Sequence, residues 1–199
     1  MARQKNEYEK AVEIMTGLPA GTKLLLHSCC APCSSACLEL LHGYFDTTVL
    51  YYNPNISDPA EYLKRKKEQI RLLAETGWGS FLDCDHSPED FERIARGYED
   101  CSERGERCFR CYRLRLERTA REAADRGFDY FTTTLSISPY KVSRWINEIG
   151  YGLQDEYGVR FLPSDFKKNE GYKRSIELSA VYGLYRQNFC GCDFSKKRE

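Results

Sequence analysis

Nothing in these 199 residues supplies a net charge, because thirty Lys and Arg are balanced by thirty Asp and Glu. A neutral chain has no global field to draw in nucleic acid, so an RNA partner would need a local patch. Long hydrophobic runs are missing as well, and no stretch approaches the roughly 18 apolar residues of a membrane span. The first residues, Arg3 to Lys10, are polar and charged and hold no signal-peptide core. That start predicts a cytoplasmic protein with no membrane partner. Internal repeats, low-complexity segments and linkers are also absent. The length predicts one domain, residues 1–199, with a sizeable core. Finally, no Gly/Ser-rich phosphate loop follows the first apolar run, which leaves ATP use poorly supported.

What the chain does have is ten cysteines. In a secreted protein an even count would suggest disulfides. In a reducing cytosol, metal or redox chemistry is the better reading. Cys29, Cys30 and Cys33 follow the apolar run Leu24-Leu25-Leu26, Cys108 and Cys111 form a C-x-x-C pair, and Cys190-Gly191-Cys192 lies near the end. At a helix start, residues three apart share a face, so Cys108 and Cys111 could reach one metal or one cluster. Neighbouring side chains diverge, which suits Cys29 and Cys30 to different irons, or different metals, better than to one tetrahedral ion. Gly191 allows close backbone approach beside Cys190 and Cys192. Soft thiolates select zinc, copper(I) or iron–sulfur clusters. Six or seven of them exceed the four that a structural zinc needs. One zinc with spare thiols is the plainer alternative. Cys37, Cys84 and Cys101 lack paired spacing and read as ordinary buried residues.

Apolar periodicity and punctuation predict helices over residues 5–16, 32–42, 59–77, 88–96, 108–126, 141–157 and 172–186. The last of these leads straight into Cys190. Strands are predicted over residues 23–28, 47–52, 80–84, 129–134 and 159–162. This alternation argues for an α/β domain with a mainly parallel sheet, a three-layer Rossmann-like (HUP/PP-loop-like) arrangement. Ligands then bind beyond the carboxyl ends of the strands, where the Cys29–Cys33 turn, the loop after residue 134 and Pro163-Ser164-Asp165 all fall.

Other polar clusters are open to two readings. Tyr51-Tyr52 could stack a base or fill the core. Lys64-Arg65-Lys66-Lys67, Arg110, Arg113, Arg115 and Lys167-Lys168 could grip phosphates or simply face solvent. Thr132-Thr133-Thr134 could hold a polar ligand or cap a helix. His27 could support the cysteines or pack in the core.

The chain resembles the QueH-type epoxyqueuosine reductases over nearly its full length. The resemblance is carried by Leu26-His27-Ser28-Cys29-Cys30-Ala31-Pro32, Tyr52-Asn53-Pro54-Asn55-Ile56, Cys108-Phe109-Arg110-Cys111-Tyr112-Arg113, Thr132-Thr133-Thr134-Leu135, Ser138-Pro139-Tyr140-Lys141, Asp165-Phe166-Lys167-Lys168 and Tyr185-Arg186-Gln187-Asn188-Phe189-Cys190-Gly191-Cys192. It implies reduction of the epoxide of epoxyqueuosine to the alkene at the tRNA wobble position, without cobalamin. A [4Fe-4S] cluster and an adjacent second metal ion, expected to be iron, are implied too. Cys33 departs from members that carry Asp there. On this reading Cys30, Cys108 and Cys111 are the core cluster ligands. Cys29, Cys190 and Cys192, with Cys33, hold the second metal or complete the cluster. Tyr140, Asp165 and Lys167 are candidate proton sources, and electrons come from an external flavodoxin or ferredoxin. Two rival readings are a zinc-stabilised RNA-binding module and a cluster-dependent reductase of an adenylylated sulfur compound.

Overall fold

The structure is a computed structural model that describes residues 3–195. The strands are β1 (Lys23–His27), β2 (Asp46–Leu50), β3 (Ser80–Leu82), β4 (Tyr130–Thr133) and β5 (Arg160–Phe161). They form one parallel sheet in the order β3-β2-β1-β4-β5. The helices are α1 (Glu7–Thr16), α2 (Ala31–Leu41), α3 (Pro59–Thr76), α4 (Pro88–Ala95), α5 (Glu106–Asp125), α6 (Ser143–Tyr157) and α7 (Gly171–Val181). No helix among the described residues is long and apolar enough to cross a membrane.

Period-two alternation along β1 builds two cores at once. Leu24 and Leu26 join Val49, Leu38, Leu72 and Leu178 on one face, under α2, α3 and α7. Leu25 joins Leu50, Leu116, Phe131, Ile149 and Phe161 on the other, under α5 and α6. Both faces of the sheet are therefore covered, as parallel sheets require. Local chemistry sets the helix ends. Asn6 and Glu9 form a reciprocal capping box on α1. Asp58 accepts the Ala60 N–H and Pro59 opens α3, which Gly77 closes at a left-handed φ of 66°.

The chain leaves β1 towards β2 on one side and returns to β4 on the other. The carboxyl ends of β1 and β4 therefore mark the topological switch point, where an open α/β sheet leaves a crevice. The cysteine turn follows β1, and a 3-10 turn, Thr134–Ile137, follows β4.

The final helix differs from expectation. It ends at Val181, and its last turn closes with Leu184 N–H on Ser179 O and Gly183 at φ 54°. Tertiary contacts then outweigh helical continuation. The Arg71 guanidinium takes the Tyr182 carbonyl at 3.0 Å, Glu68 takes the Tyr185 N–H at 3.0 Å, and Lys64 lies 3.4 Å over the Tyr185 ring. Residues 182–192 form a strap along α3, not a helix into Cys190. Strand β2 also ends before Tyr51 and Tyr52, which continue into the core, both almost fully buried.

Candidate metal centre

His27 ends β1 and is wholly buried. Its Nε2–H donates to the Tyr52 carbonyl at 3.0 Å, while Nδ1 accepts from the Thr133 hydroxyl at 2.9 Å. Thr133 Oγ1 in turn accepts the Leu135 N–H, which fixes the direction of that chain. Burial first, and Arg115 second, lower the His27 pKa to about 3. The ring is a neutral brace tying the ends of β1 and β4 to the exit of β2.

The next residues turn from strand into helix. Cys30 is the N-cap of α2, with Pro32 in the first turn, where a helix start favours negative charge. A clamp holds both ends of the turn. Gln69, buried on α3, accepts the Ser28 and Ser34 hydroxyls, each at 2.7 Å. Asn53 donates to the Ser28 carbonyl at 2.8 Å. The Sγ atoms of Cys29, Cys30 and Cys33 all lie within 4.8 Å of one another. Cys29 and Cys30 Sγ are 3.9 Å apart. Neighbouring sulfurs were expected to diverge; the bend into α2 makes them converge. Hydrogen bonds from Cys30 and Cys33 hold the Cys29 thiol well below its ordinary pKa. The Cys30 thiol is pushed up to about 12, first because it gives its hydrogen bond to Cys29.

A second thiolate sits on the strap. Lys141 donates to Cys190 Sγ at 3.1 Å. The Cys192 hydrogen bond, followed by Lys141 and Arg115 against the cost of burial, holds the Cys190 thiol well below its ordinary value. Gly191, between them, has φ 112°, and a Cβ there would lie 2.8 Å from Ile56 Cγ1. No other residue suits that position. Cys111 and Cys192 belong to one buried cluster with Phe91 and Ala95. Cys108 packs, like Cys29, against the core beneath α5. Among the described residues only Cys29, Cys30 and Cys33 are close enough to share an ion as they stand. Of the other four expected ligands, Cys190 lines the same cavity, and Cys108, Cys111 and Cys192 do not.

Two buried arginines link these groups. Arg115 is 1 % exposed, makes no ion pair among the described residues, and leaves Nη2 without a partner. Burial opposes its charge, and Coulomb interactions with Cys111, Cys190 and Cys29 outweigh that cost, raising its pKa. Arg65 is 2 % exposed, pairs with Glu61 at 2.6 Å, donates to the Cys190 carbonyl at 3.3 Å, and also leaves Nη2 free. Within Lys64–Lys67, then, Arg65 is an interior residue and not part of a solvated face. Its helical spacing is the signal: Tyr62, Arg65, Gln69, Leu72 and Leu73 share the buried side of α3. Arg115 lies one turn after Cys111, on the cysteine face of α5.

A cavity of about 530 Å³ opens at this edge, and its wall includes Cys29, Cys33, Arg65, Arg115, Lys141 and Cys190. Tyr140 is on its rim. Asp165 and Lys167 do not line it; they pair with one another, and both bond the Ser143 hydroxyl at the start of α6. Lys141 and Gln187, which composition did not single out, do line it. Tyr51 and Tyr52 are core residues, and Arg110 and Arg113 sit in exposed ion pairs with Glu106 and Glu156. Cys84 gives its thiol to the Tyr51 carbonyl at 3.1 Å, outside the site.

The donor set fits an anionic thiolate-bound metal group. Its ligands are soft sulfurs. Burying Arg115 without an anion would be costly, and thiolates with their metal supply that anion.

Comparison with known proteins gives the family. Residues 24–198 match the sequence profile described as epoxyqueuosine reductase QueH. Curated proteins of that name are similar along most of their length. The one from Streptococcus pyogenes serotype M1 is 40% identical over 205 residues, covering 98% of this chain and 80% of that protein. The Staphylococcus epidermidis protein is 42% identical over 184 residues, covering 89% and 77%. The Thermotoga maritima protein is 38% identical over 178 residues, covering 86% and 89%.

Proposed function

The chain belongs to the epoxyqueuosine reductase QueH family, and from that membership we propose that it reduces epoxyqueuosine to queuosine at the wobble position of a tRNA anticodon. One domain, residues 1–199, carries the reaction in the cytoplasm, without cobalamin. The observation that supports this most is the cavity at the switch point, where Cys29 and Cys33 from the front of the chain and Cys190 from its tail share a wall with the buried Arg65 and Arg115.

We assign a [4Fe-4S] cluster and a second metal, iron, to these sulfurs, with Cys30, Cys108 and Cys111 as core cluster ligands. Cys29, Cys33, Cys190 and Cys192 then complete the cluster or hold the second metal. When bound, these groups supply single electrons and a Lewis acid for the epoxide oxygen. The balance is simple: the epoxide takes two electrons and two protons, its two C–O bonds break, and alkene and water leave. Electrons enter from an external flavodoxin or ferredoxin.

The protein's own groups do the rest. Arg115 and Arg65 offset the negative charge of the thiolates in a site with little water. His27, Thr133 and the Gln69 clamp hold the cysteine turn in place. The wobble nucleotide must leave its stack to enter a cavity at the end of a sheet. For the proton, Lys141 is the group on the cavity wall, 3.1 Å from Cys190 Sγ. Asp165 and Lys167 are one step removed behind Ser143, placed to order the start of α6.

The test is an anaerobic assay with a low-potential reductant and tRNA carrying epoxyqueuosine, read by nucleoside mass spectrometry. Conversion to queuosine without added cobalamin is expected. Failure of the iron-loaded protein to consume the epoxide would contradict the assignment.

A further inference from the structure

We propose that Tyr140 is the stacking platform for the unstacked nucleobase of the RNA substrate, so that it sets how tightly that substrate binds. This rests on the reading of the chain as a reductase of a nucleotide in tRNA. Tyr140 is the most exposed aromatic side chain among the described residues, at 62 % against 41 % for Phe194 and 39 % for Tyr44. A single exposed aromatic is unremarkable by itself. Its place decides the matter, because it stands on the rim of the cavity lined by Cys29, Cys33 and Cys190.

The ring is also mounted on a stiff support. Arg104 donates from Nη2 to the Pro139 carbonyl at 2.9 Å and from Nε to the Tyr140 carbonyl at 3.3 Å. Tyr140 N–H donates to Ser138 Oγ at 3.2 Å, and Lys141 N–H to the Ser138 carbonyl at 3.1 Å. The next side chain, Lys141, is anchored on Cys190 inside the site. Arg104 itself sits at φ 66°, a left-handed conformation costly for a residue with a Cβ. Strain is accepted here to hold a turn that leaves most of Tyr140 in water. An aromatic ordered in water by its neighbours is preorganised for a flat partner.

Volume and charge name that partner. About 530 Å³ falls in the range for one small-molecule-sized group and is too little for a stacked anticodon loop. One nucleotide must therefore be drawn out, and it loses both stacking neighbours. Unpaired bases in protein complexes regain stacking on aromatic rings. The wall carries four cations, Arg65, Arg115, Lys141 and Arg186, against one carboxylate, Glu103, and that excess suits a nucleotide with its phosphates better than an uncharged apolar ligand.

The experiment compares wild type, Tyr140→Phe and Tyr140→Ala on an anticodon stem-loop RNA carrying epoxyqueuosine. Binding is measured by fluorescence anisotropy, and kcat and KM with reductant in excess. Tyr140→Phe keeps the ring and is expected to match wild type in both. Tyr140→Ala is expected to weaken binding and raise KM roughly 5- to 100-fold, the range for losing one base–aromatic stack, with kcat unchanged. Wild-type affinity in Tyr140→Ala would overturn the proposal. So would a kcat loss shared by both variants, which would assign the work to the hydroxyl. If wild type itself neither binds nor reduces the stem-loop, the wider functional reading falls and this one with it. A working wild type with an indifferent Tyr140→Ala overturns the stacking role alone.

Discussion

At the scale of single residues, Arg115 is the most consequential side chain that is not a cysteine. It is buried, unpaired with any carboxylate among the described residues, and within electrostatic reach of Cys29, Cys111 and Cys190. A nearby cation favours the more negative, reduced form of an anionic metal group. Arg115→Met is therefore expected to shift the reduction potential of the iron-loaded protein to more negative values, measured by spectroelectrochemical titration. An unchanged potential would contradict a charge-balancing role. Arg115 was hard to see in the sequence because an arginine among Arg110, Arg113 and Arg118 reads as part of a solvated helix face. Only its four-residue spacing from Cys111 points inward. Cys29, Cys30 and Cys33 were easier, since three soft ligands within five positions stand out in any sequence. Cys84→Ser makes a useful contrast with Cys108→Ser. The first puts a hydroxyl donor where the thiol faces the Tyr51 carbonyl and is expected to keep its iron; the second is expected to lose the cluster, as iron and sulfide analysis of both would show.

At the scale of elements, helices and strands follow the apolar period closely, because each buries one face against the sheet. The strap did not follow it. Its path is set by Arg71, Glu68, Glu61 and Arg65 on a different helix, contacts that no local pattern announces. Gly191 is the joint of the strap. Gly191→Ala must hold a Cβ at φ 112° and 2.8 Å from Ile56, costing about 1–3 kcal/mol. Its expected effect is to displace Cys190 and Cys192 while leaving the sheet intact. Near-native far-ultraviolet circular dichroism with reduced iron content would show this; full iron content would contradict it. The Gln69 clamp is a second element-scale device, joining α3 to both ends of the cysteine turn. Gln69→Leu removes the acceptor that the Ser28 and Ser34 hydroxyls share at 2.7 Å and leaves them the weaker Cys30 and Ala31 carbonyls at 3.4 and 3.1 Å. The loss is about 1–3 kcal/mol, or roughly 2–10 °C in Tm for a chain of this size. A thermal melt that matched wild type would remove Gln69 from the account.

At the scale of the whole molecule, the strand order places the site. Because β1 is central and β4 lies across the switch point from β2, the exits of β1 and β4 open onto one crevice. The strap brings one further sulfur, Cys190, to the same edge. The sequence pattern made the parallel sheet and its working edge legible. It could not show that the two buried arginines and Lys141 would gather there, since their burial depends on which faces meet. The central claim is that these cysteines hold iron and sulfide together. Its most direct test is metal and acid-labile sulfide analysis of protein purified without oxygen. About five irons and four sulfides per chain are expected, with both falling together in Cys30→Ser. A colourless protein holding zinc and no sulfide would contradict the account.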